Sequence, residues 1–185
     1  LLTPRTTLIH ATHTSKADRE IVAASGSGVC FCPTTEADLG DGIGPAEEYA
    51  SVGVPISLGS DSNAVIDIFE EARRIEHHDR LRLGRRGIHS PADLLRMATA
   101  TGAKALGWDS GRLEVGALGD IVIVDPDHLD LAGVDPDHGL ASLVMGATRT
   151  AVSHVMVGGE MLLSPAGSSL PDEKAIAHSI RMAWS

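Results

Sequence analysis

The first 58 residues alternate between short apolar runs and amphipathic segments. Runs at residues 6–9, 29–32 and 54–58 are short, apolar and typical of strands. Between them, Ser15 begins a predicted helix through a capping box, and Pro45 is placed as the first residue of another. Because strands and helices alternate and the strands are almost wholly apolar, the pattern predicts a parallel α/β arrangement.

Residues 34–44 follow the second predicted strand. They contain three glycines together with the acids Glu36, Asp38 and Asp41, and this composition predicts a loop. Since acids would repel an anionic substrate, we expect these three to cap or position the loop without touching a ligand.

Further along the chain the pattern becomes helical and then changes to β. Apolar and charged positions at helical spacing predict a long helix over 67–83, and a Ser-Pro-Ala-Asp start predicts another over 90–107. An apolar strand is predicted within 111–125, and residues 152–163 predict a hairpin with a two-glycine turn. A last helix is predicted over 172–184.

Composition and charge favour a small-molecule partner. The sequence has 25 acidic and 15 basic side chains, and its net charge of -10 argues against a nucleic-acid or anionic membrane surface. No apolar segment approaches the roughly 20 residues of a spanning helix and no signal-peptide pattern is present, so we expect a cytoplasmic protein. The sequence begins without methionine and enters a strand almost at once, so we expect a piece of a longer chain.

The two cysteines lie on the second predicted strand. Cys30 and Cys32 are two residues apart, so their side chains point to the same face. This spacing is not that of a zinc ribbon or a redox motif, and neighbours on one strand rarely form a disulfide. We expect buried free thiols.

His10 and Asp61 each follow a predicted parallel strand and should face the same end of the sheet, where ligands bind in such folds. An imidazole and a carboxylate there can bind a divalent metal, or one can orient the water that the other deprotonates. The alternative for Asp61 is a cap of the following helix. His13 is expected to be a structural or rim residue. The other histidines have no assigned site role; two are expected on a solvated helix face, His77 and His78, and five lack a partner at metal-ligand spacing, His89, His128, His138, His154 and His178.

Two stretches near the carboxyl end carry a family signature. Residues 111–125 (Gly-x-Leu-x-x-Gly-x-x-Gly-Asp-Ile-Val-Ile-Val-Asp) and 155–159 (Val-x-Val-Gly-Gly) resemble the entry strand and closing hairpin of the small β-sandwich in the amidohydrolase superfamily, although alanine is more usual at the third glycine. The resemblance implies an α/β fold with three parts. Residues 1–108 would be the C-terminal part of a TIM (β/α)8 barrel, about strands six to eight, residues 109–165 part of the β-sandwich, and residues 166–185 a C-terminal helix.

The resemblance also implies a chemistry. In that family a histidine after the sixth strand and an aspartate after the eighth are active-site residues, and they correspond to His10 and Asp61. Zinc is the implied cofactor: Asp61 would ligate it, accept a proton from the attacking water and pass it to departing ammonia, while His10 would hydrogen-bond the attacking group. The other zinc ligands and the general-acid glutamate would precede Leu1, so we expect these 185 residues alone to bind no zinc and to be inactive. A homodimer is expected for the full-length protein.

Residues 32–42 (Cys-Pro-Thr-Thr-Glu-Ala-Asp-Leu-Gly-Asp-Gly) look most like the formimidoylglutamate deiminases. These enzymes hydrolyse N-formimidoyl-L-glutamate to N-formyl-L-glutamate and ammonia in histidine degradation. Related purine and triazine deaminases usually carry Ser-Asn where this chain has Thr35 and Glu36. The alternatives are an aminohydrolase similar to guanine, adenosine or S-adenosylhomocysteine deaminases, and a non-catalytic remnant domain.

Overall fold

Three predicted strands pair in parallel in the computed structural model, which describes residues 1–63 and 65–183. They are β1 (Thr7–Ile9), β2 (Gly28–Phe31) and β3 (Ile56–Leu58), in the order β1-β2-β3. Leu8 pairs with Val29, which pairs in turn with Ile56. The α/β class predicted from the sequence is therefore confirmed, and the carboxyl ends of all three strands meet at one edge.

Helices lie between these strands and after the last of them. They are α1 (Lys16–Ser25), α3 (Ala46–Ser51) and α4 (Ile68–Leu83). The predicted capping box is present, because the Ser15 hydroxyl accepts from the Asp18 amide at 3.2 Å and the Asp18 carboxylate accepts from the Ser15 amide at 2.8 Å. Pro45 lies at the cap position of α3, one residue before its first helical residue.

The predicted loop at residues 34–44 is wrong in its first half, because Pro33–Leu39 forms a helix, α2. Pro33 is its first residue and Gly40 ends it in the left-handed conformation, at φ 72°. Its free amides are met by carboxylates: Glu71 of α4 accepts from the Thr34 amide at 3.0 Å, and Glu36 accepts from the Cys32 amide at 2.8 Å. Negatively charged hydrogen-bond acceptors are favourable at the amino end of a helix, so the contact from Glu71 of α4 stabilises α2.

The single helix predicted over residues 90–107 is divided in two. Its parts are α5 (Pro91–Ala98) and α6 (Ala100–Ala105). Ser90 caps α5 as predicted by accepting from the Asp93 amide. The division falls at Thr99, whose backbone leaves the helical region at φ -126° and ψ -95° while its hydroxyl donates to the Leu95 carbonyl.

An antiparallel sheet follows these helices. Its strands are β4 (Ile121–Val124), β5 (Val152–Val157), β6 (Glu160–Ser164) and β7 (Gly167–Ser168), in chain order. The predicted hairpin is confirmed: Gly158 and Gly159 connect β5 to β6 with φ of 58° and 84°, a conformation that favours glycine. Helix α7 (Gly139–Gly146) and three short 3-10 turns lie between β4 and β5: Leu129–Leu131, Pro136–His138 and Arg149–Ala151.

The last predicted helix is present as α8 (Glu173–Ala183), while Trp184 lies outside the described residues. Within the described part of the chain, no helix is long and apolar enough to cross a membrane. The boundaries predicted at residues 108 and 165 stay predictions.

The main hydrophobic core lies between the parallel sheet and its helices. Val29, Phe31 and Ile56 of the sheet meet Tyr49 of α3, and all are nearly inaccessible to solvent. The Phe31 and Tyr49 rings pack at a tilt of 60° with centroids 6.2 Å apart. This packing holds the strand ends rigidly where the polar residues emerge.

Candidate metal centre

Each parallel strand delivers one potential metal donor to the same edge of the sheet. His10 directly follows β1, Cys32 directly follows β2, and Asp61 lies three residues after β3. His10 Nε2 and Asp61 Oδ2 are 3.5 Å apart. The structure therefore brings together the two residues selected from the sequence, while their chemical roles stay predictions.

The backbone is strained where these two side chains leave it. His10, Ala11 and Asp61 all have positive φ, at 64°, 47° and 49°, which is uncommon for residues other than glycine. The Ala11 amide donates to the Ile9 carbonyl at 2.8 Å, so His10 is the central residue of a tight γ-turn. Such conformations persist where the surrounding structure holds them, and they cluster at functional sites.

The Asp61 carboxylate is not used as a helix cap, so the alternative role considered for it is wrong. Asp67 caps α4 instead, accepting from the Phe69 and Glu70 amides. The Asp61 side chain is 44% exposed and pairs with His10. It is thus open to solvent and to a ligand at the strand edge.

Glu36 joins the site from α2, which the sequence prediction missed. Its side chain is only 1% exposed, and its Oε1 lies 3.2 Å from His10 Nδ1. Burial raises the pKa of Glu36, an effect opposed by hydrogen bonds from the Cys32 amide and from His10. Glu36 positions the chain as expected, since its carboxylate accepts a hydrogen bond from the Cys32 amide. It also contacts His10 of the candidate site, which was not expected. The combination of Pro33 at a helix start with a glutamate three residues later was the signal that could have indicated it.

Thr35 ties α2 to the segment that carries Asp61. Its hydroxyl donates to the Ser60 carbonyl at 2.9 Å and accepts from the Ser62 amide at 3.1 Å. Thr35 is fully buried, so these bonds are shielded from water. The residues on either side of Asp61 are consequently fixed to the first turn of α2.

Glu71 supports that first turn from beneath. Besides the Thr34 amide, it accepts a short hydrogen bond from the Thr34 hydroxyl. Burial raises the pKa of Glu71, and the two bonds from Thr34 oppose that effect. Three consecutive residues of α2 therefore connect α4, the Asp61 segment and His10: Thr34, Thr35 and Glu36.

The cysteines are free thiols, as predicted, but only Cys32 is fully buried and Cys30 is half-buried. Both Sγ atoms lie beside Gly59, which agrees with side chains on one face. A hydrogen bond with Cys32 lowers the pKa of Cys30 to about 7, whereas the same bond and burial raise the pKa of Cys32. The sequence did not place Cys32 near the candidate pair, because that proximity depends on β2 lying between β1 and β3.

The donor set at this edge has the chemistry of a zinc site. One ligand atom each from His10, Cys32 and Asp61 lies within 4.8 Å of the others. Imidazole nitrogen, thiolate sulfur and carboxylate oxygen are the ligands that zinc binds in proteins. The residues present therefore fit a zinc ion at this edge.

The other histidines lie apart from this set. His13 is exposed and its ring lies next to Gly42, consistent with a rim residue. His77 and His78 are half-buried and burial lowers the pKa of each, so the prediction of a solvated face is wrong for them. His89 is buried and its Nε2 lies 2.8 Å from Asp79 Oδ2, which makes it a structural residue.

Comparison with known proteins identifies the family. The sequence profile of the Amidohydrolase family matches residues 1–162. The chain belongs to the amidohydrolase family. Among amidohydrolases, it is 36% identical over 165 residues to the 5-methylthioadenosine/S-adenosylhomocysteine deaminase of Natronomonas pharaonis. It is 35% identical over 163 residues to the formimidoylglutamate deiminase of Pseudomonas aeruginosa.

Solved structures of amidohydrolases match the fold as well. An adenosine deaminase from Xanthomonas campestris with bound zinc superposes with a TM-score of 0.91 at 29% identity over 98% of this chain. An atrazine chlorohydrolase from Arthrobacter aurescens complexed with zinc gives a TM-score of 0.83 at 28% identity, also over 98% of the chain. The chain spans 36% of the length of each of the two relatives above, and 42% and 41% of these two structures.

Proposed function

We propose that this chain carries part of the active site of a zinc-dependent hydrolase that removes ammonia from a C–N bond. The observation that carries the proposal is the 3.5 Å approach of His10 Nε2 to Asp61 Oδ2 at the carboxyl edge of a parallel sheet. Membership of a family with deaminase- and deiminase-named relatives supports it. The rigid core beneath the strand ends supplies the fixed geometry that hydrolysis requires.

Asp61 is the proposed zinc ligand on this chain. Its exposed carboxylate does not cap a helix. His10 and Cys32 lie beside the proposed ion, and the family resemblance implies that its further protein ligands lie outside these 185 residues. When bound, zinc activates a water molecule by lowering its pKa to about 7.

Asp61 carries both proton transfers, and His10 positions the attacking group. Asp61 Oδ2 accepts a proton from the attacking water and delivers it to the leaving nitrogen, which departs as ammonia. His10 Nε2, facing Asp61, hydrogen-bonds the attacking water and orients it toward the carbon. The strained turn at His10 and the Thr35 contacts beside Asp61 hold both groups in place before substrate arrives.

The proposed substrate is N-formimidoyl-L-glutamate, converted with water to N-formyl-L-glutamate and ammonia. Support comes from residues 32–42, whose Thr35 and Glu36 replace the Ser-Asn pair usual in purine and triazine deaminases, and from the similarity to the Pseudomonas aeruginosa deiminase. Glu36 takes part in the site itself, since it contacts His10. This substrate would place the protein in histidine degradation.

A second candidate is deamination of S-adenosylhomocysteine or 5-methylthioadenosine. The observation in its favour is that seven relatives with 30–38% identity carry the name of that deaminase. Guanine and adenosine are further purine substrates to consider. Both candidates share the same hydrolytic chemistry and differ in what the rest of the protein must recognise.

The proposed architecture follows the family resemblance. Strands β1, β2 and β3 would be strands six to eight of a TIM barrel within residues 1–108. The antiparallel sheet would belong to the β-sandwich of residues 109–165, with a terminal helix in 166–185. A cytoplasmic homodimer acting on a small molecule completes the proposal.

Ammonia release by the full-length protein tests the function. The substrates are N-formimidoyl-L-glutamate, S-adenosylhomocysteine, 5-methylthioadenosine, adenosine and guanine. Each substrate is assayed with the wild type, with Asp61→Asn and His10→Asn, and with the control variant Asp38→Asn. Asp38 is exposed on α2, so its variant should match the wild type. We expect fastest turnover of N-formimidoyl-L-glutamate and at least about a 100-fold loss in both site variants. Faster turnover of an adenosine compound would favour the second candidate, and no ammonia from any substrate would favour a non-catalytic remnant.

A further inference from the structure

We propose that Glu36 is a positioning residue that fixes which ring nitrogen of His10 carries the proton. A carboxylate 3.2 Å from Nδ1 holds the ring with Nδ1 protonated and leaves Nε2 to face Asp61. The inference deepens the proposed function, on which it rests for its effect on rate. The tautomer itself can be measured without substrate.

The hydrogen-bonding chemistry at Glu36 selects the tautomer. When Glu36 is ionised its carboxylate can only accept hydrogen bonds, so Nδ1 is then the donor in the contact with Oε1. The same oxygen accepts from the Cys32 amide at 2.8 Å, which fixes its position independently of His10. Because the partner of one ring nitrogen decides the protonation of the other, Nε2 of the neutral ring keeps its lone pair and can accept a hydrogen bond from the attacking water.

Glu36 is better held than the ring it orients. Its side chain is 1% exposed, whereas that of His10 is 31% exposed and lies on a strained turn. The turn of α2 that carries Glu36 is anchored by Glu71 and by the contacts of Thr35. Without Glu36, the partly exposed imidazole could rotate and exchange tautomers, and the productive arrangement would be populated for only part of the time.

A structural role for Glu36 makes a different prediction from a positioning role. Glu36 and Glu71 are both buried carboxylates that accept an amide hydrogen bond at the amino end of α2. Only Glu36 of these two contacts His10. Replacing either should loosen α2, but only replacement of Glu36 should change the state of the His10 ring.

The test is the 15N spectrum of the full-length, zinc-loaded protein labelled in histidine, with the His10 signals assigned from His10→Asn. In the wild type the neutral ring should give a protonated Nδ1 and an unprotonated Nε2. Glu36→Met, which removes the acceptor at similar size, should shift both nitrogens toward averaged values. Glu36→Gln, which keeps a neutral acceptor, and the control Glu71→Met should retain the wild-type pattern.

The kinetic expectation is a fall of about 10- to 100-fold in kcat for Glu36→Met with little change in KM, the usual cost of losing a residue that orients a site histidine. A wild-type ring with Nε2 protonated, or a Glu36→Met spectrum like the wild type, overturns the inference. Because the wild-type spectrum reports the tautomer of His10 directly, it can overturn the inference even if a variant fails to fold. A wild type with the expected tautomer and no deaminase activity overturns the proposed function while supporting this inference.

Discussion

The hydroxyl of Thr35 donates a hydrogen bond to the backbone carbonyl of Ser60, 2.9 Å away across the carboxyl edge of the sheet. This bond connects the first turn of α2 to the residue that precedes Asp61. With Glu36 of the same turn contacting His10, one short helix touches the segments after both β1 and β3. The geometry of the candidate pair therefore depends on α2 as much as on the strands.

Replacing Thr35 by valine should disturb the Asp61 segment without changing the volume of the side chain. The Ser60 carbonyl and Ser62 amide would lose a buried partner, so we expect the free energy of unfolding to fall by about 1 to 3 kcal/mol. Ammonia release should fall as well, because Asp61 is less well fixed. Urea unfolding and steady-state kinetics measure the two effects, and the exposed Thr150→Val is the control, expected within about 0.5 kcal/mol of wild type. Equal free energies of unfolding for Thr35→Val and the control would show that the Thr35 contacts do not stabilise the fold.

The pH dependence of stability reports on Glu71. Burial raises the pKa of Glu71 above its ordinary value of 4.5, so the folded protein holds a proton that the unfolded chain releases. Its contribution to stability is full below about pH 4.5 and is lost as the pH rises through the higher folded-state pKa. The free energy of unfolding of the wild type minus that of Glu71→Gln should therefore decrease as the pH rises above 4.5. Urea titrations across that range measure it, and a constant or increasing difference would contradict the assignment.

Asp79 should behave in the opposite way. Burial raises its pKa, but hydrogen bonds from His89 and Arg82 outweigh that effect and leave the pKa of Asp79 lowered. Its stabilisation is therefore present above the unfolded pKa of 3.8 and is lost as the pH falls through the lower folded value. Asp79 also accepts from the Glu47 amide at 2.9 Å, so it links α4, α3 and the segment before α5.

Asp79→Asn should cost about 1 to 3 kcal/mol at neutral pH, because the buried His89 imidazole loses its charged partner while Arg82 keeps its ion pair with Glu48. The deficit should narrow below pH 3.8. Urea unfolding of Asp79→Asn beside the exposed Asp38→Asn measures both features. A deficit below about 1 kcal/mol at pH 7 would rule out a structural role for this buried network.

Sequence reasoning succeeded where local chemistry decides the structure. The capping box of Ser15 and Asp18 lies within four residues and was predicted correctly, and the apolar runs gave all three parallel strands. His10 and Asp61 could be paired in advance because parallel strands end at the same edge.

It failed where distant contacts decide. Helix α2 was predicted as a loop because its amino end is completed by Glu71, 37 residues from Thr34. Glu36 was consequently placed away from the ligand, although it contacts His10. The helix predicted through Thr99 was divided by backbone geometry that no local signal indicated. Predicting that Cys32 lies beside His10 and Asp61 would have required the order of the strands in the sheet, which the sequence pattern alone does not determine.

The zinc content of Asp61→Asn tests the central claim most directly. Purified full-length wild type and Asp38→Asn, dialysed against metal-free buffer, should each retain about one zinc per chain, because Asp38 is exposed and does not belong to the donor set. Asp61→Asn should retain far less, since an amide is a poor substitute for an anionic ligand. Retention of a full zinc equivalent by Asp61→Asn would contradict the assignment of Asp61 as a zinc ligand.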